Sequence, residues 1–314
     1  MTTGKPMFSF CISTFRRPGF LKEQLKLLLN QTFRDFEIVI SDNDPVGSGR
    51  EVCVAFNDPR IRYFSNGDNI GMIPSFNKSI ERADGEFVVM VTDDDPIQPG
   101  FLNEIKRLVV AHPGHSLYGG FFRKGIPVGA TEVIAAKDTL EEILDPDRSS
   151  NILWSSCVLR REDVLAIGAI ADYGSPHLAD HALLVMTASE KGAVIVNKMF
   201  SSLSKHDNNF SKFNFDYYYE GCKGFYETFN NFQAPGDPAR NKKAIEKHLG
   251  VWLIANMFAL KKYYTFNKQD KNTLKAIDEC ARQILTLPYM KQFRGRFLLK
   301  EQIFKVKKLL WKLK

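Results

Sequence analysis

The 314-residue chain is 44% hydrophobic and 12% aromatic, enough apolar surface for a core larger than one small domain requires, which excludes a disordered chain. Its net charge of +7 is local: residues 291–314 carry nine Lys or Arg against one acid, Glu301, so the rest is near neutrality and a general nucleic-acid-binding surface is excluded. Five cysteines without CxxC or metal-ligand spacing argue against a disulfide framework or a zinc site, and the lack of a signal-peptide pattern or a bilayer-length apolar run points to a soluble or peripheral protein of the cytoplasm.

Strand and helix signals alternate through the first hundred residues. Phe8 to Ile12 reads as a buried strand, and Pro18 opens a helix that sets Leu21, Leu25 and Leu28 on one face. Phe36 to Ser41 predicts a second strand, Ile61 to Phe64 a third, Pro74 to Ala83 a helix, Glu86 to Val91 a fourth strand, and Pro99 to about Val110 a further helix. Repeated βα units imply an α/β fold with a mostly parallel sheet covered on both faces.

The fourth strand runs into Asp93, Asp94 and Asp95. Adjacent carboxylates at the end of a buried strand repel one another and resist desolvation, so a divalent cation is expected there, and hard oxygen ligands suit Mg2+ or Mn2+ bridged to a diphosphate. A solvated turn before the next helix is the alternative.

Beyond His112-Pro-Gly the pattern weakens, with Gly119-Gly120, Gly125 and Pro127 expected to break strands, and it resumes near 151–160. From about Phe215 the chain turns helical and aromatic, over Ala244 to Tyr264 and Thr273 to Leu287, with Gln233 to Pro238 as a turn. Three parts are expected: 1–110, 111–214, and a helical appendage over 215–314.

Five segments in order carry a resemblance: Cys11-Ile-Ser-Thr-Phe-Arg-Arg-Pro18, Gln31 to Asp44, Asn69-Ile-Gly71 with Phe76-Asn-Lys78, Ala83-Asp-Gly-Glu-Phe87, and Thr92-Asp-Asp-Asp-Pro-Ile-Gln-Pro99. Together they resemble the family 2 glycosyltransferases of GT-A fold, such as those building bacterial lipopolysaccharide and other surface polysaccharides. The resemblance covers the first 110 residues and continues weakly to about 210. It implies a nucleotide-sugar-binding half over 1–110 and an acceptor-binding half over 111–214. It implies that Ser13, Thr14, Phe15 and Asp42 hold the base and ribose of a nucleotide-sugar donor, with Arg17, Asn69 and Asp93 at the same site. It further implies Asp94 as the metal ligand, a later His such as His206 near that metal, and Asp95 either behind it or facing the acceptor. Thr92 stands where many members have Asp.

A base is also needed to take the acceptor hydroxyl's proton. The resemblance assigns it to Asp180 in Pro176-His-Leu-Ala-Asp-His, with Asp172 a poorer fit and a helix cap the structural alternative for Asp180. Trp154 is expected either to stack on an acceptor sugar or to fill the core. The expected reaction is inverting, metal-dependent transfer from a nucleotide-diphosphate sugar, most simply a UDP-sugar, to a glycan hydroxyl. A sugar-1-phosphate nucleotidyltransferase and a non-catalytic nucleotide- or glycan-binding module are the alternatives.

In 297–314 the apolar residues Leu299, Ile303, Val306, Leu310 and Leu313 recur at helical spacing among lysines. That pattern suits an interfacial helix on the cytoplasmic face of the inner membrane, beside a lipid-linked acceptor, or else packing on the body or on a second subunit.

Overall fold

The computed structural model describes residues 4–204 and 215–312. The first half is a βα series: β1 (Phe8–Thr14), α1 (Pro18–Leu29), β2 (Phe36–Asp42), α2 (Arg50–Phe56), β3 (Ile61–Ser65), α3 (Met72–Arg82), β4 (Phe87–Val91) and α4 (Phe101–Ala111). β1 lies between β2 and β4, parallel to both, with Phe8 opposite Phe36 and Phe87. Side chains of a strand alternate between faces, so Phe8, Phe10 and Ile12 pack with α1 and α4 while Cys11 packs with α3. Burial on both faces explains why these strands read as near-continuous apolar runs. α2 has no counterpart among the expected elements, because it buries only Cys53 and so carries no apolar stripe.

The second half adds β5 (Leu117–Gly120), β6 (Phe122–Arg123), β7 (Thr131–Ile134), α5 (Thr139–Leu144), β8 (Ser149–Ser150), β9 (Cys157–Arg160), α6 (Arg161–Ala166), α7 (Ala179–Lys191) and β10 (Ala193–Val196). The main sheet has eight strands in the order β3-β2-β1-β4-β9-β5-β10-β7, with β9 antiparallel to both its neighbours. Gly119 and Gly120 are corrected from strand breakers to strand residues. A Cβ on Gly119 would lie 2.5 Å from Cys157 Sγ, and one on Gly120 would meet the Lys198 carbonyl, so glycine here lets neighbouring backbone approach.

Helices α8 (Asp216–Asn231), α9 (Pro238–Tyr263), α10 (Lys271–Ile284) and α11 (Arg294–Lys312) follow. Asp237 caps α9, accepting the Ala239 amide at 2.8 Å, with Pro238 in the first turn. α11 packs on α9 through Phe297 and Phe304, both against Phe258, and through Glu301, which accepts from Lys261 Nζ at 3.0 Å. The stripe Leu299, Ile303, Val306 and Leu310 therefore faces away from the body and is exposed. No helix among the described residues is long and apolar enough to cross a membrane.

Candidate active site

Parallel pairing brings the ends of β1, β2 and β4 to one edge of the sheet, where Thr14 sits opposite Asp42 and Ile12 opposite Val91. The loops leaving these strands meet there, as expected of the carboxyl edge of a parallel sheet. Thr14 Oγ1 donates to Asp93 Oδ2 at 3.0 Å. Arg17, in the turn that opens α1, spans two of the acids: Nη1 lies 2.7 Å from Asp93 Oδ1 and Nη2 2.7 Å from Asp94 Oδ2. Asp95 turns the other way, accepting the Ser204 amide at 3.0 Å, while its carbonyl receives Gln24 Nε2 at 2.9 Å. The Ser204 hydroxyl donates to the Asp94 carbonyl.

The three carboxyls thus divide between two sides. Asp93 belongs to the β1 side, with Thr14 and Arg17. Asp95 lines a cleft of about 800 Å³ together with Trp154, His177, Asp180, His181, Trp252 and Asn256. Burial pushes the Asp93 carboxyl up to about 6, with the Arg17 guanidinium pulling against it and the charge on Asp94 adding to the rise. Burial also raises Asp95, opposed by the Ser204 amide and reinforced by the charges of Asp94 and Asp180. For Asp93 and Asp95 the cost of burying charge therefore exceeds the relief their neighbours give, a surplus of desolvation cost.

That surplus is the condition a divalent cation would satisfy. Among the described residues no three His, Cys, Asp or Glu side chains converge as a self-sufficient metal cage. The donor set fits a Mg2+- or Mn2+-type ion that takes one or two carboxylates from protein and its remaining oxygens from phosphate. His206 lies outside the described residues.

Asp180 sits in the first turn of α7, two residues beyond the helix cap, so it is not the cap residue. That cap is Leu178, a buried leucine held at φ +66°, an uncommon conformation for a bulky side chain, which marks a tightly determined entry into the helix. The entry is braced by Tyr173 Oη donating to the His177 carbonyl at 2.8 Å and by Ser175 Oγ donating to the Tyr217 carbonyl at 2.7 Å. Asp172 instead accepts the Gly174 amide and lines a smaller neighbouring hollow of about 230 Å³. Trp154 packs its ring 4.9 Å from Phe76 and also lines the cleft.

Ser13 is half-buried at the end of β1, Phe15 is exposed beyond it, and Asn69 is exposed after β3, its side chain accepting the Gly71 amide at 3.2 Å. Asp42 lies deeper than these residues. It is 0% exposed, and its carboxylate accepts the Asp44 amide at 2.8 Å, the Gly49 amide at 3.0 Å and Tyr63 Oη at 2.8 Å. It pins the loop after β2 at the same sheet edge as Thr14.

Sequence reasoning did not find Ser204, whose only signal was proximity to His206, nor Trp252 and Asn256, which read as ordinary members of an aromatic helix. It also did not find His248, which lies behind the cleft wall.

The sequence profile described as Glycosyl transferase family 2 matches residues 9–166. A Campylobacter jejuni protein, GalNAc(5)-diNAcBac-PP-undecaprenol beta-1,3-glucosyltransferase, is 35% identical over 104 residues, 32% of this chain and 33% of that protein. The Escherichia coli putative colanic acid biosynthesis glycosyl transferase WcaA is 30% identical over 112 residues, 34% of this chain and 40% of its own length. The chain thus matches only a third to two-fifths of these relatives. Among solved structures, S. aureus TarS 1-349 in complex with UDP-GlcNAc aligns with a TM-score of 0.60 at 16% identity, over 92% of this chain and 80% of that one. The mannosyltransferase PcManGT from Pyrobaculum calidifontis, in complex with GDP-Man and Mn2+, aligns at 0.58 and 14% identity, over 95% of this chain and 87% of that one. At such identities the likeness speaks for the fold. With a profile match over half its length, the chain belongs to the family 2 glycosyltransferases.

Proposed function

We propose that the chain transfers one sugar, with inversion, from a UDP-linked donor to a hydroxyl of a glycan in bacterial surface-polysaccharide assembly. The observation that carries this reading is the divided row of acids: Asp93 and Asp94 on the β1 side, Asp95 and Asp180 in the cleft. The donor occupies the 1–110 half, with its diphosphate at Asp94 and Arg17 and its nucleoside near Ser13, Thr14, Phe15 and Asn69. The acceptor enters the cleft and stacks on Trp154. Asp180 takes the hydroxyl proton as the acceptor oxygen bonds to the anomeric carbon, and the bond from that carbon to the diphosphate oxygen breaks on the opposite side. Asp94, with His206 a further candidate, would hold a Mn2+ or Mg2+ ion, which would supply positive charge beside the departing diphosphate. UDP is favoured by the TarS complex with UDP-GlcNAc, and a polysaccharide setting by the names of the two bacterial relatives.

The test is a panel of nucleotide sugars read by thermal stabilisation with and without Mn2+, followed by transfer assays on Asp180→Asn. A selective shift with one UDP-sugar, and a loss of transfer of about 10²- to 10⁴-fold with donor binding kept, are expected. Unimpaired transfer by Asp180→Asn rejects the base assignment.

The acceptor is proposed to be lipid-linked, with α11 lying on the cytoplasmic face of the inner membrane. The support is the outward stripe of Leu299, Ile303, Val306 and Leu310 flanked by exposed Lys300, Lys305 and Lys307, a chemistry complementary to anionic lipid. Changing the four apolar residues to Ser should abolish sedimentation with phosphatidylglycerol vesicles. Undiminished sedimentation refutes the docking.

A further inference from the structure

Behind Asp180 two imidazoles meet in a chain of hydrogen bonds with acceptors at both ends. His181 Nε2 lies 3.2 Å from the Ile152 carbonyl, His181 Nδ1 lies 2.8 Å from His248 Nε2, and His248 Nδ1 lies 2.9 Å from the Leu144 carbonyl. A carbonyl oxygen only accepts, so both outer nitrogens carry protons. The Leu144 carbonyl ends α5, where no residue of that helix remains to donate to it, so the imidazole N–H fills an otherwise open acceptor. The inner contact at 2.8 Å needs one proton between its two nitrogens, since two facing lone pairs repel. Three hydrogen bonds therefore need three protons, whereas two neutral imidazoles bring two.

We propose that His181 and His248 hold this third proton as a monocation in the cleft wall, which sets a positive charge beside the Asp180 carboxylate and aims that carboxylate into the cleft. The inference rests on Asp180 being the base. His181 Nε2 lies 3.8 Å from Asp180 Oδ2, so the charge sits beside that carboxylate and offsets the repulsion it feels from Asp95. The charge is placed on His181, the ring 3.8 Å from the Asp180 carboxylate, because burial pushes His248 down to about 3. His248 stays neutral, donating to Leu144 and accepting from His181, with its ring stacked 5.9 Å from Phe225.

The other ionisable neighbours are otherwise engaged. Lys247, the residue before His248, is paired with Asp145 at 2.6 Å and Asp147 at 2.7 Å. His177, on the same cleft wall, is held neutral by burial, which lowers it to about 4. α5 and the loop at Ile152 contribute only carbonyls to the pair. His181 and His248 are thus positioning residues, acting on the reaction through Asp180.

The proton count is read by long-range 15N–1H correlation on histidine-labelled protein at pH 7.5, with signals assigned from the His181 and His248 variants. Two protonated nitrogens on His181 and one on His248 are expected. One on each ring overturns the proposal. The link to Asp180 is read from two substitutions. His248→Gln supplies an oxygen to His181 Nδ1 and an N–H to Leu144, so it should keep kcat and its pH profile within twofold. His248→Phe removes the acceptor, and should lower kcat about tenfold with little change in donor KM while moving the acidic limb of the profile to higher pH. If both variants behave alike, the link is rejected. The Asp180→Asn transfer assay judges the base assignment alone and leaves the nitrogen spectra interpretable, so the two failures are distinct.

Discussion

Arg17 Nη2 donates to Asp94 Oδ2 over 2.7 Å, so the carboxylate assigned to the metal is already paired with a cation from the turn after β1. The same guanidinium holds Asp93, and its loss removes an attraction that offsets the charge of Asp94 on Asp93. Arg17 is itself 30% exposed, so Arg17→Ala should destabilise the protein by about 1 kcal/mol, between the cost of breaking a surface pair and a buried one. Mn2+, able to replace the missing charge, should raise the melting temperature of the variant more than that of the parent protein. Equal Mn2+ responses in differential scanning would count against this account.

Asp93 sets stability against function. Its carboxyl titrates near 6 in the folded protein against an ordinary value of 3.8, so between those values the folded state keeps a proton that the unfolded chain has released. Stability from this group therefore falls as pH rises through that window, and at pH 7.5 the ionised form weighs against folding by about 3 kcal/mol at most. Asp93→Asn should lose transfer yet melt higher, with its advantage over the parent growing from pH 5 to pH 7.5. A gap that stays constant with pH would contradict the assignment.

His177 acts in the opposite direction. Its folded value of about 4 lies below the ordinary 6.5, so as pH falls between them the unfolded chain takes up a proton that the folded protein refuses. Stability is lost on acidification, by up to about 3 kcal/mol for this residue. His177→Phe keeps an aromatic ring against Tyr218, 4.1 Å away, and should melt with a smaller drop between pH 7 and pH 5 than the parent. Identical drops would remove His177 as a source of acid sensitivity.

Much of the fold was legible in the sequence, for a definite reason. Strands buried on both faces leave unbroken apolar runs, and those around Phe10, Val39 and Val89 emerged with their order intact, as did the α1 face of Leu21, Leu25 and Leu28. What stayed hidden depends on partners distant in sequence. The antiparallel insertion of β9 between β4 and β5 places Cys157 against Gly119, a pairing that no local pattern encodes. Asp42 illustrates the same limit, since its partners Gly49 and Tyr63 are brought to it by the fold and not by any local pattern. The row of aspartates could be recognised from the strand before it, whereas the cleft wall formed by Trp252 and Asn256 comes from a helix nearly a hundred residues beyond Trp154.

Gly120 offers a packing test. A methyl group there would collide with the Lys198 carbonyl and lie 2.9 Å from the Phe200 ring, both on the chain that follows β10. Gly120→Ala should destabilise by about 3 kcal/mol through overpacking, lowering the urea midpoint with an unchanged slope. Gly295, at the start of α11 with nothing within 4 Å, is the control: its replacement by Ala should stabilise by about 0.5 kcal/mol. Similar effects at both sites would show that close approach is not what glycine provides at 120.

Helix α9 carries both the seat of α11, at Phe258 and Lys261, and the part of the cleft wall formed by Trp252 and Asn256. With a rise of 1.5 Å per residue, Trp252 and Lys261 stand about 14 Å apart along one continuous rod. A bilayer resting on α11 would consequently meet the reaction chamber at a fixed standoff. The enzyme would act as a gauge, favouring saccharides whose growing end reaches that height above the lipid plane.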